Sequence, residues 1–118
     1  MTDSRRNLKP ATEAHIARLK RQFVDSFAKR LIDIEDWTQK CLAEPPDRQA
    51  MQQLRTEVHQ LRGSSGLYDL TELYREFDSL QAELDEVLAE TGPVRLSSVT
   101  RRRLERVTKL MRFPNRFL

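Results

Sequence analysis

Apolar residues recur every three or four positions along most of this chain, and this spacing restricts its fold more than any other feature. Such spacing places apolar side chains on one face of an α-helix, whereas a half-buried strand requires strict alternation. The sequence contains no sustained alternation and no Asn-Gly or Asp-Gly turn. With 118 residues and only three glycines, the chain is predicted to form one all-α domain.

Prolines and glycines divide the pattern into helical segments. No proline or glycine occurs between residues 11 and 43, which predicts either one long helix or two nearly collinear helices. Pro45-Pro46 ends that segment, and Asp47 is the expected N-cap of a helix over residues 48–67. The buried stripe expected on this helix consists of Met51, Leu54, Val58, Leu61 and Ser65.

Two further helices are predicted after residue 68. The segment from Asp69 to Glu72 resembles an acidic variant of the capping box, and the helix that it opens is expected to end at Thr91-Gly92-Pro93. The last helix is expected to start at Ser97 or Ser98, with either Val99 or Thr100 facing the core. The predicted fold class is therefore an antiparallel four-helix bundle with an optional extra N-terminal helix.

The predicted bundle occupies residues 11–113. Residues 1–10 are polar and basic, and we expect a flexible tail there. Residues 114–118 are expected to form a C-terminal tail, which is also a candidate truncation point of a longer chain. No apolar run approaches the roughly 20 residues that span a bilayer, and the N-terminus lacks the apolar stretch of a signal peptide. The single cysteine, Cys41, fits a reducing compartment, so we expect a cytoplasmic protein.

The net charge of +3 is mild, but cations crowd the C-terminal segment. They are Arg101, Arg102, Arg103, Arg106, Lys109, Arg112 and Arg116. We interpret them as a solvated helix face, and a surface for an acidic partner or nucleic acid is the alternative. A nucleic-acid-binding bundle would show steeply salt-dependent binding that does not involve His59.

His59 lies on the opposite side of its helix from the buried stripe. At roughly 100° per residue, it points roughly 160° away from Leu61. Arg62 and Gly63 follow it by three and four residues, which makes them its neighbours on the helix surface. Glycine costs roughly 1 kcal/mol relative to alanine inside a helix. Gly63 and Gly66 therefore indicate that bare space is needed beside the histidine, although an ordinary exposed histidine is the alternative.

The stretch His59-Gln60-Leu61-Arg62-Gly63-Ser64-Ser65-Gly66 resembles the signature of histidine-containing phosphotransfer (HPt) domains. That signature is His, any residue, an aliphatic residue, Lys or Arg, Gly, any residue, and Ser or Ala. The order of helices is similar as well, over residues 11–113. Two differences are visible: Asp69 stands where the family usually has glycine, and Arg62 replaces the more frequent lysine.

The resemblance implies a phosphorelay intermediate without kinase or ATP-binding activity. His59 would accept a phosphoryl group from an aspartyl phosphate of a response-regulator receiver domain and pass it to another receiver. Arg62 would offset the phosphoryl charge, and Gly63 would let the partner approach. The receiver would supply Mg²⁺, so no cofactor or metal is expected in this chain. The partners implied are receiver domains and a hybrid sensor kinase, and we expect a monomer with no membrane or nucleic-acid partner.

Four further residues are predicted to contact the partner. Arg55, Gln60 and Gly66 lie near His59 on the same helix. Ile32 lies off the apolar stripe of its own helix, so it is either a stray exposed aliphatic or part of a docking patch around His59. A non-transferring scaffold or inhibitor that binds a kinase or receiver domain is the alternative function. His15 is expected at the surface, and two isolated histidines make a poor metal site.

Overall fold

The fold is built from helices that match the predicted segments. The computed structural model describes the backbone of residues 10–118 and the side chains of residues 11–118. Its elements are α1 (Pro10–Asp25), α2 (Phe27–Leu42), α3 (Arg48–Leu67), α4 (Thr71–Ala89), α5 (Ser98–Met111) and a 3₁₀ helix (Pro114–Phe117). No strand occurs within residues 10–118, so the all-α prediction is confirmed for them. The predicted flexible tail lies outside the described residues, apart from Pro10, which opens α1.

The N-terminal helical segment is interrupted at Ser26, so the alternative of two helices is correct. The Ser26 hydroxyl donates a hydrogen bond of 2.6 Å to the carbonyl oxygen of Phe23. Arg30 Nε in turn donates a hydrogen bond of 2.9 Å to Ser26 Oγ. A serine hydroxyl that bonds to a nearby carbonyl competes with the regular helical backbone and often bends it. The break separates α1 from α2, which carries a buried stripe along its length.

Two polar contacts define where α3 begins and where α4 ends. Asp47 is the N-cap of α3, as predicted, and its carboxylate accepts a hydrogen bond of 3.2 Å from the backbone N–H of Ala50. The guanidinium of Arg48 donates to three carbonyl oxygens at the end of α4. These belong to Leu88, Glu90 and Gly92, at 3.1, 2.7 and 3.0 Å. The last carbonyls of a helix have no partner inside it, so Arg48 satisfies groups that would otherwise need water.

The core lies between α2, α3, α4 and α5, and Phe23 and Val24 at the end of α1 are buried in it as well. Contacts join α3 to both α2 and α4, and α5 packs against α4 and α2. The predicted stripe on α3 is buried at every position: Met51, Leu54, Val58, Leu61 and Ser65. On α5, Thr100 faces the core and Val99 is 56% exposed. The register follows from the cap, because Ser97 Oγ accepts a hydrogen bond of 3.1 Å from the N–H of Thr100.

Two helix ends differ from the prediction. The N-cap position of α4 is Leu70, without a side-chain capping hydrogen bond, rather than the predicted Asp69. Asp69 has a φ of 58°, a left-handed conformation that aspartate adopts more readily than most residues. At the C-terminus of the chain, the predicted tail contains the 3₁₀ helix Pro114–Phe117. The ring of Phe117 lies 6.2 Å from that of Phe27, an edge contact that joins the C-terminus to the core.

Candidate functional site

A row of polar side chains runs along the face where α3 packs against α4. We call it the α3–α4 row, and its pairs are Arg55–Asp85 at 2.7 Å, His59–Gln81 at 3.1 Å and Arg62–Asp78 at 2.7 Å. The partner's number falls along α4 as the residue number rises along α3. The two helices therefore run in opposite directions at this face, and the predicted histidine lies at the centre of the row.

His59 is exposed and is held by one hydrogen bond. Its Nδ1 atom lies 3.1 Å from Oε1 of Gln81. The amide of Gln81 also bonds to Asp85, and a carboxylate only accepts, so the amide NH₂ group faces Asp85 and Oε1 faces the imidazole. A carbonyl oxygen only accepts as well, so this contact is a hydrogen bond in the tautomer that carries its proton on Nδ1. The lone pair is then on Nε2, which makes no hydrogen bond to any residue between 10 and 118.

Asp85 connects this hydrogen bond to a cation on α3. Arg55 Nε donates to Asp85 Oδ1 at 2.7 Å, and the two side chains are 34% and 46% exposed. The hydrogen bond from Arg55 holds the pKa of Asp85 below its usual value against the opposing effect of partial burial, and the bond from Gln81 acts in the same direction. A carboxylate that stays ionised accepts from the Gln81 amide, which favours the orientation in which Oε1 faces His59.

Arg62 is engaged by two side chains of α4. Its Nε atom donates to Asp78 at 2.7 Å, and its guanidinium lies over the ring of Tyr74 at 5.4 Å from the centroid. A third contact runs from the guanidinium to the Tyr74 hydroxyl at 3.3 Å. The hydrogen bond to Asp78 raises the pKa of Arg62 further above its usual value, so the side chain is a permanent cation beside His59.

The two glycines near His59 have different surroundings. A Cβ atom at Gly63 would meet nothing within 4 Å, so the helix surface one turn after His59 is open. A Cβ atom at Gly66 would lie 3.2 Å from Cδ2 of Tyr74. Gly66 therefore makes room for a ring of the same chain, the ring on which Arg62 rests. The space predicted for a partner is present at Gly63 and is occupied at Gly66.

Ile32 is not brought together with His59. Its side chain is 69% exposed and lines a cavity of about 620 Å³ between α2 and α5, opposite Leu104 and Arg112. His59 makes its contact at the α3–α4 row instead. The shared docking patch required α2 and α3 to lie side by side, which they do, but Ile32 is on the side of α2 that faces α5. Among the other predicted partner residues, Gln60 is exposed on α3.

The C-terminal cations are largely paired within the molecule. The pairs are Arg103–Glu76, Arg103–Glu83, Arg106–Glu76, Arg112–Glu35 and Arg116–Glu72. Burial alone would lower the pKa of Arg103, but its hydrogen bonds to the two glutamates outweigh this and raise it. Three cations make no ion pair within residues 10–118: Arg101, Arg102 and Lys109. The segment therefore carries less free charge than its sequence indicates.

Two further residues considered in the sequence, His15 and Cys41, lie outside the α3–α4 row. His15 is exposed on α1, where its Nδ1 lies 2.8 Å from a guanidinium nitrogen of Arg18. Cys41 is buried, and desolvation, aided by the charge of Asp47, raises the pKa of its thiol to about 11. Within the described chain, no cluster of three or more His, Cys, Asp and Glu side chains could hold a metal ion. No helix there is long and apolar enough to cross a membrane.

The α4 half of the site was not predicted from the sequence. Tyr74, Asp78, Gln81 and Asp85 lie at intervals of four, three and four residues, which places them on one helical face. This polar stripe was a usable signal, because it runs beside the apolar stripe of α4. Helical spacing does not give the packing register between α3 and α4, and this register places Gln81 opposite His59.

No protein-family model, curated protein or solved structure matches this chain. The function is therefore inferred from the geometry of the α3–α4 row and from the residues that form it.

Proposed function

We propose that this chain is a phosphorelay intermediate of the HPt type. His59 would accept a phosphoryl group from the aspartyl phosphate of a receiver domain and pass it to a second receiver. The observation that carries this proposal is the state of His59, an exposed imidazole whose Nδ1 bonds to Gln81 and whose Nε2 is unbonded within the described residues. An outward lone pair beside a cation is what a nucleophile that attacks phosphorus requires.

In the proposed transfer, the lone pair of His59 Nε2 attacks the phosphorus atom of the aspartyl phosphate. The P–N bond forms as the P–O bond to the receiver carboxylate breaks, and the electron pair of that bond leaves with the carboxylate. The imidazole gains positive charge, which the carbonyl of Gln81 stabilises through the Nδ1–H hydrogen bond. Onward transfer is the reverse step, in which a carboxylate oxygen of the second receiver attacks phosphorus and Nε2 leaves.

The neighbours of His59 support this role. Arg62 lies three residues away on the same helical side and supplies a cation for the phosphoryl oxygens. Gly63 leaves the helix surface without a side chain, which suits docking of another protein close to the imidazole. We propose that the receiver contributes the Mg²⁺ and the acidic pocket, and that this chain acts as a phosphocarrier rather than as a kinase.

We further propose that α2 to α5 form an antiparallel four-helix bundle of the HPt type, with α1 as the extra N-terminal helix. The opposite directions of α3 and α4 support this arrangement, as do the contacts of α5 with α4 and α2. Arg48 adds a further link, because it ties the start of α3 to the end of α4. Such a bundle would present His59 from the middle of a helix rather than from a loop.

The test is transfer from phosphorylated receiver domains of the same organism to the wild type, His59→Gln and His15→Gln. We expect acid-labile, alkali-stable phosphate on the wild type and on His15→Gln, and none on His59→Gln. His15→Gln is a matched control, because it removes the other histidine of the chain, which is also exposed. Receiver binding without labelling of any variant would contradict phosphotransfer and favour a scaffold or inhibitor.

A further inference from the structure

Arg62, three residues after His59, is paired with a carboxylate that the HPt-like motif does not contain. His59 and Arg62 are three residues apart on α3, and Gln81 and Asp78 are three apart on α4, so the two contacts lie side by side. Asp78 accepts from Arg62 Nε at 2.7 Å. A phosphoryl group on His59 would therefore be added next to a guanidinium that already has an anionic partner.

We propose that Asp78 competes with the phosphoryl group on His59 for the Arg62 guanidinium, while Tyr74 keeps that guanidinium in place. Asp78 thereby limits how strongly the site retains the phosphoryl group, so that the group remains transferable. This inference rests on the proposed function, because it describes how the same site is regulated.

The strengths of the two acceptors favour exchange. The Arg62 and Asp78 side chains are 32% and 53% exposed, and ion pairs exposed to this degree contribute little to stability. A phosphoryl group carries more charge than a carboxylate and offers three strong acceptor oxygens. A guanidinium has five N–H donors in a fixed plane. Some of the N–H groups of Arg62 can therefore donate to a new acceptor.

Tyr74 limits how far Arg62 can move. The guanidinium lies 5.4 Å from the ring centroid, and the hydroxyl is 3.3 Å from its terminal nitrogen. The ring fits against α3 because position 66 is glycine, where a Cβ atom would lie 3.2 Å from the ring. A guanidinium stacked on an aromatic ring can rotate within its own plane. Arg62 can therefore change its hydrogen-bond acceptor while its guanidinium stays on the ring of Tyr74.

The inference is tested with phosphoramidate, a small donor that needs no receiver. His59 Nε2 attacks its phosphorus, a P–N bond to the imidazole forms, and the donor's P–N bond breaks with release of ammonia. The variants are Asp78→Asn, Arg62→Gln and their combination, with Glu86→Gln as the control. Glu86 is exposed on α4 and makes no ion pair within residues 10–118, so its loss changes the net charge equally.

We expect Asp78→Asn to raise the equilibrium level of phosphorylated over free His59 by about threefold, the modest effect of an exposed ion pair. The increase must disappear in the Arg62→Gln background, because the competition acts through Arg62. Phosphorus NMR on the same samples locates the phosphoryl group at Nε2. An equal increase in both backgrounds, or the same increase in Glu86→Gln, would overturn the inference, since plain charge repulsion would explain it.

This result can be separated from the proposed function. If phosphoramidate modifies His59 while no receiver does, the relay function fails and the double-mutant cycle still decides the role of Asp78. If receivers transfer normally while the cycle shows no coupling between Asp78 and Arg62, the relay function stands and the competition is rejected.

Discussion

The Nδ1 atom of His59 lies 3.1 Å from the side-chain oxygen of Gln81, one helix away. This contact matters because the two imidazole nitrogens are chemically distinct, and the hydrogen bond at one of them determines the role of the other. With the proton on Nδ1, the lone pair is on Nε2, which makes no hydrogen bond within residues 10–118. The proposed nucleophile, Nε2 of His59, therefore depends on the Gln81 oxygen of α4 as well as on α3, the helix that carries His59.

The first prediction concerns this contact. Gln81→Ala removes the acceptor at Nδ1, so a smaller share of His59 carries its proton on that nitrogen. A neutral hydrogen bond contributes ~1 kcal/mol, which corresponds to about a fivefold slower transfer to His59. Nitrogen-15 NMR of the imidazole measures the populations of the two tautomers. Labelling reactions quenched at successive times measure the rate of phosphoryl transfer to His59. Gln53→Ala, which changes an exposed glutamine on α3, is the control.

A tautomer that is unchanged in Gln81→Ala would contradict the role given to Gln81. Asp85→Asn offers a second check, because the loss of its charge weakens the orientation of the Gln81 amide without removing the acceptor. It should slow transfer less than Gln81→Ala does.

The two glycines are predicted to respond differently to alanine. Gly63→Ala gains helix propensity of up to ~1 kcal/mol, since nothing lies within 4 Å of the new Cβ atom. Gly66→Ala gains the same propensity but must displace Tyr74, whose ring would be 3.2 Å away. Thermal unfolding should therefore show a larger stability increase for Gly63→Ala.

The Gly63→Ala variant also tests whether position 63 matters for docking of a receiver. Gly63→Ala should slow transfer from receivers while leaving labelling by phosphoramidate unchanged, because only a protein partner needs the open helix surface. Equal slowing with both donors would show that position 63 acts on the imidazole itself and not on the approach of a partner.

A third prediction is a pH dependence at Cys41. Burial raises the pKa of its thiol to about 11 from an ordinary value of 9.0. The folded state therefore keeps the proton over a range in which the unfolded state loses it. The contribution is present in full below pH 9 and is lost as the pH rises towards 11, by ~2 kcal/mol in the free energy of unfolding.

Comparing wild type with Cys41→Ala isolates this effect, because other groups that titrate in the same range are common to both. The quantity to measure is the slope of unfolding free energy against pH, since the alanine also leaves a cavity that lowers stability at every pH. Parallel curves for the two proteins above pH 9 would contradict the assignment.

The contact of Arg48 with the end of α4 gives a fourth prediction. Its guanidinium donates to the carbonyls of Leu88, Glu90 and Gly92. Arg48→Ala should lower the free energy of unfolding by ~1–2 kcal/mol, because helix-end carbonyls lose their partner. Arg48→Lys should recover little, since an ammonium lacks the planar fork. Arg95→Ala, which breaks the exposed pair with Glu44, should change stability by less than ~1 kcal/mol.

The helices could be predicted because their signals are local. Pro45-Pro46, the N-cap at Asp47 and the apolar stripe of α3 each act within a few residues, and the structure has the helix at 48–67. Ser26 shows the limit of such reasoning: nothing in its sequence neighbourhood distinguishes a continuous helix from a break. Its hydroxyl bonds to Phe23 and also accepts from Arg30.

The site could be predicted only on the helix that carries the motif. His59, Arg62 and Gly63 are related by helical spacing, which sequence alone provides. The contacts with Asp78 and Gln81 depend on the register between two helices, and the side of α2 on which Ile32 lies depends on helix packing in the same way. Gly66 shows this most clearly, since its function depends on the Tyr74 ring of α4.

The most direct test of the central claim is site mapping of phosphate after incubation with phosphorylated receivers, followed by a chase with an unphosphorylated receiver. We expect a phosphoryl group on His59, bonded through Nε2, that disappears from this chain as it appears on the second receiver. Phosphate on any other residue, or a fully folded protein that remains unlabelled by every receiver of its organism, would contradict it.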